Sequence, residues 1–205
     1  MLKCLDLCAG FGGFSEAFYQ SPHWEIMRID NNPLLAGVEN MEIIDIFEFR
    51  DHLHNMIERG YCPDKIDLIV ASPPCHAFSM GYSAPRAIAS REGRLQDYKP
   101  DMSILEATLD IIKMLNPTYY IIENVKGAIR YFEPYLGQPN QSFKAWNFWG
   151  KFPFMDVNVA NLPTKSSLDK RHSKLRTNYR SVVPYEISMS LLHAIESQTL
   201  ITYWS

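Results

Sequence analysis

Along the first 125 or so residues, short continuous apolar runs alternate with stretches whose apolar residues recur at helical spacing. That is the pattern of strands buried on both faces between covering helices. Leu2 to Cys8 reads as a first buried strand, and "AGFGG", Ala9 to Gly13, turns the chain into a helix carrying Phe14, Ala17 and Phe18. "WEIMRID" predicts a second strand ending on Asp30, and "EIIDI" a third, shorter one. Phe49, Leu53, Met56 and Ile57 then fall on one helix face, with Gly60 as its stop. Ile66 to Ala71 predicts a fourth strand, Ile104, Leu105, Thr108, Ile111, Ile112 and Leu115 a further helix, and "TYYIIENV" a fifth strand. The expected class is α/β, with a mostly parallel sheet and helices on both faces.

The second part is less regular. Residues 136–180 show no sustained period; they hold the aromatic-rich "FKAWNFWGKFPF" and a possible strand around Asp156 to Ala160. Ile187, Leu191, Leu192 and Ile195 put an apolar stripe on a terminal helix, within residues 181–205. A chain of 205 residues, 46% hydrophobic and 21% charged, fits one filled core, so a single domain over 1–205 is expected.

The net charge of −3 gives no global pull toward a polyanion, so a nucleic-acid partner would have to meet a local patch. The strong charge run is Lys165 to Arg180, with six Lys/Arg against one Asp. Cysteines at positions 4, 8, 62 and 75 match neither a disulfide scaffold nor zinc spacing, so no metal site is expected. The first residues read as a strand rather than a signal peptide, and no run approaches membrane-spanning length. The expectation is a cytoplasmic protein without a membrane partner.

Two stretches carry candidate chemistry. "DLCAGFGGFSEAF" supplies a strand, a glycine turn that admits a ligand close to the backbone, and a helix N-terminus with free N–H groups. Asp30 follows Asp6 by 24 residues, where a carboxylate can bind ribose hydroxyls or can cap a helix beginning near Pro33. The glycine spacing is neither G-x-G-x-x-G nor a phosphate loop, which disfavours dinucleotides and ATP. In "DLIVASPPCHAFS" two prolines end a strand and present Cys75 at its carboxyl edge. A sharp turn near helix dipoles would favour its thiolate; a buried cysteine after a kinked strand is the plainer reading. Glu123 closes the next strand, in "IIENV", and neighbouring parallel strands deliver their ends to one crevice. The polar loop Ser79 to Pro100, with Arg86, Arg91 and Arg94, is long enough to suggest a function. Trp146, Phe148 and Trp149 are either core or stacking surfaces for bases.

In the order "DLCAGFGGFSEAF", "SPPCHAFS", "IIENV", residues 1 to about 130 resemble the cytosine-C5 methyltransferase family, and "NYRSVVPYEISMSLLHAIE" resembles its last motif. The resemblance implies a Rossmann-like fold that binds S-adenosylmethionine. It puts Phe11, Gly12 and Gly13 at the methionine part, Asp30 on the ribose and Asp45 beside the adenine. Asp6, Ala9, Gly10, Asn31, Ile46, Pro73 and Val183 complete the cofactor site, and the last helix returns to it. Cys75 becomes the nucleophile toward C6 of cytosine, Glu123 the carboxylic acid, ideally with a raised pKa, that binds N3 and the exocyclic amine, and Asn124 the support of the turn. His76 is a neighbour of the nucleophile. The implied partner is DNA with its cytosine flipped out of the stack, and the implied setting includes restriction-modification.

The chain departs from the family in lacking the Gln-x-Arg-x-Arg motif and a large target-recognition region. Arg171 and Arg176 lie nearest the expected arginine position and are the candidates for the contact to the cytosine carbonyl or to phosphates. Residues 136–180 would then be a reduced recognition region. A recognition partner protein, an RNA (tRNA) substrate, and a catalytically idle cofactor-binding regulatory subunit remain open alternatives.

Overall fold

The computed structural model describes residues 1–170 and 172–203. In chain order its elements are β1 (Leu2–Leu7), α1 (Glu16–Gln20), β2 (Trp24–Asp30), β3 (Met41–Ile43), α2 (Ile46–Glu58), β4 (Leu68–Ala71) and α3 (Pro85–Arg91). There follow α4 (Ser103–Leu115), β5 (Tyr119–Val125), α5 (Ile129–Leu136), β6 (Gln141–Phe143), β7 (Trp146–Lys151), α6 (Arg176–Ser181) and α7 (Tyr185–Tyr203). Seven strands form one sheet in the order β3-β2-β1-β4-β5-β7-β6. The first five run parallel, and β7 is antiparallel to both of its neighbours. The order reverses between β1 and β4, so the carboxyl ends of these strands open a crevice beside the β1 turn.

Alternation along each strand sorts the side chains into two cores. Cys4, Leu68, Val70, Ile121, Trp146 and Phe148 pack on one face with Ala17 and Phe18 of α1 and Ile187, Leu191, Leu192 and Ile195 of α7. Leu5, Leu7, Ile69, Ala71, Ile122 and Trp149 pack on the other face with Leu53 of α2 and Leu105, Ile111 and Ile112 of α4. The expected doubly covered sheet is therefore present. The C-terminal helix is tied to the first one through Ser188, whose hydroxyl donates to the Phe14 carbonyl (2.7 Å) and accepts from the Ala17 N–H (3.0 Å). Both cores back directly onto the crevice, which fixes its floor.

Four stretches differ from the sequence expectation. "FKAWNFWGKFPF" is the β6–β7 hairpin and its exit, and Trp146, Phe148 and Trp149 are fully buried, which removes them as stacking surfaces. No strand forms around Asp156 to Ala160; a 3-10 turn spans Val159–Asn161 instead, with the Asn158 side chain accepting from the Ala160 N–H. The polar loop contains α3, opened by Pro85 at a position where a missing N–H costs nothing. The basic run contains α6.

Candidate active site

The β1 turn is held in one shape. Cys8, Gly10 and Gly12 all adopt positive φ. The Ala9 N–H donates to the Ile29 carbonyl (2.9 Å), and the Gly10 N–H donates to Asp30 Oδ2 (2.9 Å). A Cβ at Gly13 would lie 2.6 Å from the Val183 carbonyl oxygen, so only glycine lets the turn close on the Val-Pro segment before α7. From the far side, Phe11 packs on Tyr179 of α6 (ring centroids 4.6 Å apart), and Asn32 donates to Asn178 Oδ1 (3.4 Å).

These elements enclose a cavity of about 250 Å³ that runs from the glycine turn to the ends of β4 and β5. Ala9, Gly10, Phe11, Gly13, Asp30, Asn31, Asp45, Ile46, Pro73 and Val183 line it, together with Cys75 and Glu123. Ile29, Ile44 and Ile104 add apolar wall, and Thr177, Asn178 and Ser181 of α6 add hydroxyl and amide groups that the sequence reading did not single out. A glycine cradle, carboxylates at one side and an apolar slot suit a nucleoside with a charged tail.

Two expected members stand outside the lining. Asp6 is fully buried beneath the turn: it accepts from Ser15 Oγ (2.7 Å), which in turn accepts from Arg28 Nε (2.9 Å). Burial lifts the Asp6 carboxyl to about 7, against the Ser15 hydrogen bond and the Arg28 charge. Gly12 faces Arg28 rather than the cavity, and a Cβ there would sit 2.3 Å from Nε. Both residues support the turn from below. Asp30 and Asp45 are also anchored: Asp30 accepts from the Gly10 and Asn32 N–H groups, and Asp45 caps α2 through the Phe47 N–H (2.9 Å) and accepts from Asn31 (3.1 Å). Asp30 thus caps no helix; Asn32 caps the 3-10 turn at Pro33–Leu35.

At the other end, Cys75 opens a tight turn in which its carbonyl accepts from the Phe78 and Ser79 N–H groups (3.1 and 3.0 Å). Burial pushes the thiol up, opposite to the lowering expected from helix dipoles, because no long helix begins there. Lys165 and Arg180 work against this rise, and Glu123 adds to it. Glu123 is 4% exposed and lies two residues before the end of β5, with Oε1 lacking any hydrogen-bond partner. Burial lifts its carboxyl to about 7, with Lys165 pulling the other way. Asn124 is fully buried and ties the two strand ends together: its Nδ2 donates to the Pro73 carbonyl (3.0 Å), and its Oδ1 accepts from the Val125 N–H (2.9 Å).

The basic run contributes differently from expectation. Arg176 does not line the cavity; Asp169 holds its guanidinium through two hydrogen bonds of 2.7 and 2.8 Å. Arg171 lies outside the described residues. The cation at Glu123 is instead Lys165, with Nζ 3.9 Å from Oε1. Lys165 sits in an aperiodic loop, and its only sequence signal is that it opens the basic run. His76 is exposed at the mouth. Among the described residues no group of three or more His, Cys, Asp or Glu side chains is placed to hold a metal ion, and no helix is long and apolar enough to cross a membrane.

Known proteins are similar to this chain. The family described as C-5 cytosine-specific DNA methylase matches residues 2–150. Over 128 residues the chain is 23% identical to the type II methyltransferase M1.HphI of Haemophilus parahaemolyticus, which covers 60% of this chain and 32% of that protein. It is 27% identical over 140 residues to M.AgeI of Thalassovita gelatinovora, covering 62% of this chain and 29% of that one. With M.HgiGI of Herpetosiphon aurantiacus it shares 29% over 135 residues, covering 62% of this chain and 93% of the other. The chain spans about a third of the length of the first two.

Proposed function

Because the chain belongs to the C-5 cytosine-specific DNA methylase family, we propose that it transfers a methyl group from S-adenosylmethionine to C5 of cytosine in DNA through a covalent bond between Cys75 and C6. The observation that carries this reading is the placement of Cys75 and Glu123 at one end of a cavity whose other end is the glycine turn. When bound, S-adenosylmethionine supplies an electrophilic methyl group. Asp30, Asp45 and the backbone of Gly10, Phe11 and Gly13 would hold it, between the walls made by Ile44, Ile46 and Ile104.

Cytosine C5 is too weak a nucleophile to take that methyl group unaided. As the Cys75 thiolate forms a bond to C6, the C5–C6 π pair shifts toward C5 and negative charge spreads to N3. Glu123, with its carboxyl raised to about 7, keeps a proton near neutral pH and gives it to N3, which neutralises the ring. After methylation a base, for which water suffices, takes the C5 proton; the C5–H electrons re-form the C5–C6 double bond, the C6–S electrons return to sulfur, and the N3 proton goes back to Glu123. Asn124 fixes the distance between the two groups by bonding the Pro73 carbonyl two residues before Cys75. A cytosine inside a duplex would have to leave the stack to enter so enclosed a site.

Only the short connection 152–175 separates β7 from α6, so little chain is available there for reading bases. This supports recognition of a very short context, recognition by a partner protein, or an RNA substrate. Incorporation of labelled methyl groups into cytosine C5 of duplex DNA and of tRNA, measured side by side, tests the reading. Label in DNA cytosine is expected; label in RNA alone would move the assignment to RNA, and label in neither would overturn it.

A further inference from the structure

The segment that carries Lys165 is built rather than draped. Leu162 and Leu168 pack at the core on either side of it. Between them Thr164 and Ser167 bond reciprocally: the Thr164 N–H donates to Ser167 Oγ (3.1 Å), the Ser167 N–H to Thr164 Oγ1 (3.1 Å), and Ser167 Oγ to the Thr164 carbonyl (2.7 Å). Lys144 donates to the Leu162 carbonyl and joins this segment to the β6–β7 turn. The Lys165 side chain is 19% exposed, its ammonium 5.4 Å from the Trp146 ring centroid and 3.9 Å from Glu123 Oε1. A surface lysine in a basic run would instead extend into water.

The groups that act on Cys75 are few. Burial opposes its ionisation most, and Glu123 on β5 adds to that; Lys165 favours it, ahead of a backbone hydrogen bond and of Arg180, which lies on α6. Lys165 also acts on Glu123, so one ammonium serves both reacting groups.

We propose that Lys165, just behind the cavity wall at Glu123, is the positioning cation for the two reacting groups: seated over Trp146, it stabilises the Cys75 thiolate before attack and offsets the Glu123 carboxylate left once that residue has given up its proton. The proposal rests on the reading of Cys75 and Glu123 given above. It explains how this chain works without the arginine motif that it lacks. The positive charge reaches the site from the loop before α6, and Arg176 stays with Asp169.

The test uses the full chain, without nucleic acid or cofactor. Iodoacetamide alkylation is followed against pH at the Cys75 peptide by mass spectrometry, which separates it from exposed Cys62. In Lys165→Met the midpoint is expected to move up by roughly one pH unit, as removal of a neighbouring opposite charge requires. Lys165→Arg is expected to restore it, and circular dichroism checks that both variants fold. An unchanged midpoint in Lys165→Met overturns the proposal. Equal shifts in Met and Arg variants overturn it too, since they would reflect packing rather than charge. Because the readout needs no methyl transfer, a shifted midpoint in a chain that methylates nothing would leave the coupling of Lys165 to Cys75 standing and remove the proposed function. A methylating chain with an unshifted midpoint would do the reverse.

Discussion

Replacement of Glu123 by glutamine should stabilise the folded chain while abolishing its activity. Glu123 lies near the end of β5 at 4% exposure, with one oxygen that accepts no hydrogen bond and its carboxyl lifted from 4.5 to about 7 by burial. An acid whose pKa is higher in the folded state keeps its proton longer there, so stability falls as pH rises from the unfolded value to the folded one. Between 4.5 and about 7 the loss amounts to roughly 3 kcal/mol at 1.36 kcal/mol per unit, and it persists above that window. Glutamine has the shape of the protonated acid and does not ionise. Urea unfolding of wild type and Glu123→Gln at 25 °C should therefore give matching stabilities at pH 4.5. At pH 8 the variant should be more stable by roughly 3 kcal/mol. Asp6, also raised to about 7, is present in both proteins and cancels from the comparison. A stability difference that is the same at the two pH values would mean that Glu123 does not ionise against its burial.

Asn124→Ala removes the donor to the Pro73 carbonyl and should cost about 1–3 kcal/mol of stability, read by urea unfolding. Methyl transfer should fall in the same variant as Cys75 loses its fixed relation to Glu123. Gly13→Ala forces a Cβ to within 2.6 Å of the Val183 carbonyl, so the turn must open. We expect destabilisation of about 1–3 kcal/mol and S-adenosylmethionine binding weakened about tenfold or more by calorimetry. Cys75→Ser should leave that binding within about twofold of wild type while ending turnover, since the hydroxyl is a far poorer nucleophile than the thiolate.

What the sequence made legible follows from which signals are local. β1, β2, β4 and β5 are apolar runs with Gly, Asp, Pro or Glu at or within a few residues of their ends, and a parallel sheet places such ends together without further information. That is why Cys75, Glu123 and the glycine turn could be assigned to one crevice. The β6–β7 hairpin was hidden because Trp146, Phe148 and Trp149 bury side chains on both faces, which erases alternation. Its turn also uses Lys144 at positive φ, where a glycine or asparagine would have signalled it. Short α6 lay under a run of charge, and α3 under a polar stretch whose one clue is Pro85. Lys165 had no periodic context at all. Its position depends on Leu162 and Leu168 finding the core, which is a tertiary fact. Arg176 and Asp6 were misplaced for a related reason: a charged side chain announces that it needs a partner, and both found one away from the cavity.

The proposed methyl transfer requires Cys75 to bond covalently to a cytosine ring. A duplex oligonucleotide carrying 5-fluorocytosine blocks loss of the C5 substituent and should trap that bond. With S-adenosylmethionine present, intact mass spectrometry of the wild-type chain is expected to show one oligonucleotide attached through the peptide containing Cys75, and Cys75→Ser is expected to show none. A wild-type chain that binds the cofactor yet forms no adduct with any fluorinated nucleic acid would contradict the account.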